Sequence, residues 1–293
     1  MAKAVWARCG ERITPRLSPD GTRVAVSIED QQDDIWVWDF ARETLTRVTF
    51  NPGADAYPAW TPDGRRLLFA ATLDRQAGVF WQAADGTGSP ERLTERSNVF
   101  PYSVSPDGSR VVLRDGNPPY NLAVLSLGAE RKTEPLIHTE FHELNAEISP
   151  DGRWLAYESD ESGQREVYVR PFPNVDGGRW QVSSGGGTRP LWAKNGQELF
   201  YLAIVGEDAA LMSVRVARGA TWTAGSPTKL LTGPFLYSET GRGEGRTYDV
   251  SVDGRRFLMV KDSSNDSFAD SRSGRFVIVE NWTEELKRLV PVN

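Results

Sequence analysis

The pentad Leu17-Ser18-Pro19-Asp20-Gly21 recurs along the chain, and its recurrence sets the architecture. It returns as Trp60-Thr61-Pro62-Asp63-Gly64, Val104-Ser105-Pro106-Asp107-Gly108 and Ile148-Ser149-Pro150-Asp151-Gly152. Trp192-Ala193-Lys194-Asn195-Gly196 and Val250-Ser251-Val252-Asp253-Gly254 are degenerate copies. The fourth residue stands at 20, 63, 107, 151, 195 and 253, so the intervals are 43, 44, 44, 44 and 58. Six copies at this period fit one four-stranded propeller blade each. Within a period, short β-rich runs alternate with Gly, Pro and Asp, as in Arg65–Ala70, Gly78–Ala83 and Glu91–Thr94. The expectation is one all-β domain over residues 1–293, a six-bladed β-propeller with four-stranded antiparallel blades.

The last copy is followed by two further strand patterns, Arg256–Val260 and Arg275–Val279, which leaves its blade one strand short. Ala4-Val5-Trp6-Ala7 is otherwise unemployed. This N-terminal strand is expected to close the last blade and hide two sheet edges. Thr283–Leu289, with Thr at an N-cap and Leu286 and Leu289 three apart, reads as a short C-terminal helix. Few residues precede Ile13, so the chain is expected to be a piece of a longer protein. The long 58-residue interval carries extra residues at 218–222 and 238–245, a pattern that suits either function or a tolerated insertion.

The Pro-Asp-Gly element resembles a calcium loop, but turn chemistry explains it better. Pro presets φ, Asp bonds its own backbone, and Gly accepts positive φ. Asn195 in the fifth copy is tolerated by a turn, whereas a charged ligand set would lose by it.

Composition excludes several classes. Lys and Arg number 34 against 40 Asp and Glu, a net charge of −6, which argues against nucleic acid as a partner. No apolar run reaches the roughly 18–20 residues of a membrane span, and the N-terminus lacks a signal-peptide core. A single cysteine, Cys9, excludes an internal disulfide and a multi-cysteine zinc site. As written the chain would stay in the cytoplasm.

The repeated Ser-Pro-Asp-Gly followed by a strand resembles the WD-like repeats of TolB-type β-propellers. More narrowly, Gly152–Ser159, Glu166–Pro173, Gly178–Ser183 and Asn281–Pro291 resemble the C-terminal propellers of bacterial serine/threonine kinases. The resemblance implies a six-bladed ring used as a sensor or interaction domain, placed outside the cytoplasm. Kinase signatures and the Gly-x-Ser-x-Gly elbow of fused peptidases are both absent.

The innermost strand of each blade lines the axis, so the residues before each turn are the channel candidates. Four positions before the turn Asp stand Arg16, Ala59, Ser103, Glu147, Leu191 and Asp249. Six before stand Thr14, Tyr57, Pro101, Asn145, Arg189 and Thr247. Three before, every residue is apolar, which places that set on the opposite strand face, between blades. Arg16, Tyr57, Glu147, Arg189 and Asp249 are therefore the candidate channel residues, as an ion-pair network or a ligand site. Both histidines lie in His138–Glu147, leading into the fourth inner strand. His142, Glu143, Asn145 and Glu147, with Asp249 behind them, suit one divalent ion, Ca, Zn or Mn. Ser184-Gly185-Gly186-Gly187-Thr188 is a weaker candidate, as an anion nest.

Two functions follow. The leading one is a non-catalytic module, a monomer, that receives a protein or small-molecule ligand at the channel mouth. The alternative is a metal-dependent hydrolase of esters, lactones or phosphoesters.

Overall fold

The computed structural model describes residues 3–9, 14–29, 33–206, 208–233, 235, 245–261 and 274–279. All its sheets are antiparallel and four-stranded, and the strand order places them as propeller blades. Five blades are each built of four consecutive strands. Blade 1 holds Arg16–Leu17, Arg23–Glu29, Asp33–Asp39 and Thr44–Arg47, and blade 2 holds Ala56–Trp60, Arg66–Leu73, Gln76–Ala83 and Glu91–Arg92. Blade 3 runs through Val99–Val104, Arg110–Asp115, Asn121–Ser126 and Thr133–Ile137. Blade 4 uses Glu143–Ile148, Trp154–Ser159, Glu166–Pro171 and Trp180–Gln181, and blade 5 uses Thr188–Trp192, Glu198–Val205, Asp208–Arg215 and Thr228–Gly233. The remaining sheet, here the end sheet, joins Tyr248–Val250, Phe257–Lys261 and Gly274–Val279 to the N-terminal strand Lys3–Cys9. The segment expected to be a C-terminal helix lies outside the described residues, among which the one helical element is the 3-10 turn Val175–Gly177.

Each pentad folds as a turn for the reasons its composition gives. The Ser or Thr hydroxyl donates to the turn carboxylate, at 2.5 Å for Ser18 to Asp20 and 2.6 Å for Thr61 to Asp63. The carboxylate also accepts the N–H two residues on, 3.0 Å from Arg65 to Asp63. Asn195 does the same with its amide oxygen, accepting from Gln197 at 2.8 Å. These hydroxyl and amide donors hold Asp20, Asp63 and Asp253 below the usual carboxylate range. All six side chains are spent on turn geometry.

The apolar residues three before each turn Asp do pack between blades. Trp60 lies in the core between blades 1 and 2, Val104 between 2 and 3, and Ile148 between 3 and 4. Trp192 lies between blades 4 and 5, and Val250 between blade 5 and the end sheet. Leu17 packs where blade 1 meets Leu258 and Val260 of the end sheet. Part of the long interval is accounted for by a small loop bridged at Val216 and Ala224. Trp222 on that loop stands edge-on to Trp154 and Trp192, at 5.5 and 5.8 Å between ring centroids. Of the second extra stretch, 238–245, residues 238–244 lie outside the described residues.

Candidate functional site: the axial channel

The inner strands do not run straight. Their ladders slip between Ala56 and Ala59, Pro101 and Ser103, Leu144 and Glu147, and Thr188 and Leu191. At the slip, six residues before the turn, Tyr57, Asn145 and Arg189 adopt φ of 59°, 50° and 54°. Asn tolerates this region, but Tyr and Arg there cost of order 1–3 kcal/mol each. What they gain is contact on the axis. A Cβ on Gly245 would stand 2.5 Å from Thr14 Cγ2 of the run into blade 1 and 3.2 Å from the Tyr57 ring of blade 2. The Gly245 N–H donates to Asn145 Oδ1 of blade 4 at 3.0 Å, and its carbonyl accepts Arg189 Nε of blade 5 at 2.9 Å. Gly245 thus meets residues of blades 2, 4 and 5 and of the run into blade 1. Its φ of +99° and its crowded surroundings both require glycine.

On the turn side of Gly245 lies the charged cluster. Arg246 follows Gly245 and sends Nη1 to Glu147 at 2.7 Å and Nη2 to Asp249 at 3.4 Å. Its Nε donates to the Tyr248 carbonyl at 3.0 Å. Burial alone would lower the Arg246 pKa; the two carboxylates overcome this and raise it. Asp249 further accepts the Leu17 N–H at 2.8 Å, stitching the end sheet to blade 1. Arg16 Nη1 donates to the carbonyls of Pro15 and Arg246, both at 2.9 Å. Burial and the neighbouring Arg246 pull Arg16 down to about 9, against the opposing pull of Asp249 and Glu147. Two indoles brace the cluster, Trp60 Nε1 to the Arg16 carbonyl at 2.8 Å and Trp192 Nε1 to the Glu147 carbonyl at 3.1 Å. Arg189 is 2% exposed and held below its ordinary pKa by burial. Its N–H donates to Glu158, which also pairs with Arg165 at 3.1 Å.

Above this floor opens a cavity of about 250 Å³. Arg16, Glu147, Arg246 and Asp249 form its base, and Trp60, Trp192 and the turn prolines its wall. Three of the five channel candidates thus share the cavity, while Tyr57 and Arg189 gather behind it around Gly245.

The four metal candidates make separate commitments. Glu147 pairs with Arg246, and Asn145 accepts from Gly245. His142 Nδ1 accepts the Tyr120 N–H at 3.2 Å. Glu143 Oε1 accepts the Thr139 hydroxyl at 2.8 Å. Among the described residues no three His, Cys, Asp or Glu side chains gather to hold a metal ion. The glycine nest is filled from within, since the Gly186 N–H donates to Glu166 Oε1 at 2.9 Å. Leu191, an expected channel position, packs instead in the core between blade 5 and the end sheet.

Sequence reasoning missed Arg246 and Gly245. The signal for Arg246 existed: seven before the turn Asp stand Ile13, Ala56, Phe100, Leu144 and Thr188, and only the last copy places a charge there.

Residues 2–118 match the family model PD40, the TolB beta propeller domain. Over 98 residues the chain is 35% identical to protein Atu1656 of Agrobacterium fabrum, covering 32% of this chain and 33% of that one. Its matches span only 31% to 40% of the length of such curated relatives. Among solved structures, TolB from Acinetobacter baumannii superposes with a TM-score of 0.64 at 17% identity, over 92% of this chain and 63% of that one. An oligogalacturonate lyase in complex with manganese gives 0.61 at 10% identity, over 96% of both chains. The fold is that of a TolB-type β-propeller. The kinase-linked part of the resemblance gains nothing from these matches. Among the described residues no helix is long and apolar enough to cross a membrane.

Proposed function

We propose that the protein is a non-catalytic interaction module, monomeric and a single domain over residues 1–293, that receives its partner at the turn-side mouth of the axial channel. One observation carries this reading. Glu147 and Asp249 pair with Arg246, and Gly245 ties Asn145 to Arg189 behind them. What is left is a cavity with an apolar wall and no free acid–base pair, a shape for holding rather than for turnover. Within a larger signalling protein such a mouth would serve as the sensing surface.

The test is a hydrolase panel of esters, lactones and phosphoesters with and without chelator, beside elemental analysis of the purified protein. The expected outcome is no chelator-sensitive turnover, together with photo-crosslinking of a partner from position 194 at the rim and none from Thr44 on an outer strand. Turnover that disappears in Glu147→Gln overturns the reading in favour of the metal hydrolase.

The ring of this module is read as six-bladed, closed by the N-terminal strand. Support comes from the pairing of Lys3, Ala4 and Val5 with Ile278, Val277 and Phe276, and from Gly21 of blade 1, where a Cβ would meet Val252 at 3.1 Å. Deletion of residues 1–8 is expected to lower the melting temperature sharply; an unchanged melting temperature rejects the closure.

A further inference from the structure

Among the described residues Arg16 makes no direct ion pair, whereas Arg246 beside it on the cavity floor makes two. Arg16 is 7% exposed. Arg246 takes both neighbouring carboxylates. Arg16 receives only two backbone carbonyls, and both fall on Nη1. Its Nε is buried without a hydrogen-bond partner. Its Nη2 makes no hydrogen bond among the described residues, and a guanidinium N–H of this kind donates strongly to a carboxylate. Lys194, exposed on the rim, adds a third positive charge to Arg16 and Arg246, against the two negative charges of Glu147 and Asp249. The mouth is therefore locally positive on a chain whose net charge is −6.

We propose that this cavity is a carboxylate-binding subsite in which Arg16 is the anchor, Lys194 the outer charge, and Trp60, Trp192 and Ile148 the walls around a short apolar stem. The assignment rests on the interaction-module reading and names its ligand chemistry. Size sets the stem. A cavity of about 250 Å³ has room for a side-chain-sized group. The carboxylate can belong to an acidic peptide or to a free small acid, and the test separates them.

Isothermal titration of the full chain uses three probes: N-acetylglutamate N-methylamide, its glutamine counterpart, and acetate. The expected result is that the glutamate probe binds at least tenfold more tightly than the glutamine one, about 1.4 kcal/mol, and that Arg16→Gln abolishes the difference. Acetate much weaker than the glutamate probe assigns the site to peptides; acetate equal to it assigns the site to free acids. Should Arg16→Gln fail to fold, Lys194→Gln replaces it and is expected to weaken the glutamate probe several-fold while leaving the glutamine probe unchanged. Equal binding of the two amide probes, or no binding of any acid at millimolar concentration, overturns the carboxylate assignment. A partner that crosslinks at position 194 yet is indifferent to Arg16→Gln would sink this proposal and leave the interaction module standing.

Discussion

Glu143 and Glu147 stand four residues apart on one inner strand of blade 4 and meet different partners. Glu147 faces Arg246 across the axis at 2.7 Å. Glu143, 1% exposed, finds only hydroxyls, Thr139 at 2.8 Å and Ser159 at 3.3 Å, and its Oε2 has no partner. Burial pushes its pKa up to about 7, against the hydroxyls and Arg170, with Glu161 adding to the rise. The difference is one of charge supply. The repeat gives every blade an equivalent backbone place beside the axis, but it is Arg246, on the run into the end sheet, that pairs with Glu147, while Glu143 is met by hydroxyls. Symmetry positions the side chains, and a single asymmetric residue fixes which of them find an ion-pair partner.

Removing that residue is the harshest way to break the contrast. Arg246→Met strands Glu147 and Asp249 as buried carboxylates, and urea unfolding at pH 7 is expected to show a loss of about 3–5 kcal/mol. A loss below about 1 kcal/mol would mean that water, not Arg246, supports them.

Glu143 breaks it from the other side, through pH. A carboxyl whose folded pKa lies above its unfolded value favours the native state in its protonated form. Its contribution is therefore full below about pH 4.5 and is lost as pH rises toward and through 7, with a slope approaching about 1.4 kcal/mol per unit. Asp55, raised to about 6 mainly by burial, acts in the same direction and forms the background. Glu143→Gln should flatten the stability profile between those limits and leave the Asp55 slope in place. Superimposable profiles would show that Glu143 is ionised and solvated. Glu147→Gln is milder still, because its amide oxygen can still accept from Arg246 and Asp249 keeps part of the charge; a loss of about 1–2 kcal/mol is expected by the same urea measurement.

The scaffold was legible because its signals are local. Pro, Asp and Gly fix a turn from within five residues, and the apolar residue three before the Asp marks the interblade core in every copy. Arg16, Glu147 and Asp249 were legible for the same reason, as they hold one register position in three repeats. Tyr57 and Arg189 were placed on the axis, but not their left-handed backbone, since that arises from a ladder slip between strands and not from their own preferences. Arg246 and Gly245 stand outside the repeat, at the end of the long interval, and their partners lie about a hundred residues away in blade 4. Glu143, Asn145 and Glu147 alternate in the sequence as if on one strand face, but the ladder slips between Leu144 and Glu147 and each meets a different partner.

The turn aspartates supply a third kind of carboxylate, and the smallest effect. Asp63 is exposed, takes the Thr61 hydroxyl at 2.6 Å and the Arg65 N–H at 3.0 Å, and has its pKa lowered first by that hydroxyl. Its stabilisation is therefore present above the unfolded carboxylate range and lost as pH falls below about 4, the reverse of Glu143. Since Asn195 builds the same turn with a neutral oxygen, Asp63→Asn should change stability at pH 7 by no more than about 0.5 kcal/mol and remove only the acid-side loss. A larger change at neutral pH would mean that the turns depend on charge as the axis does; a small one confines charge dependence to the residues that face Arg246.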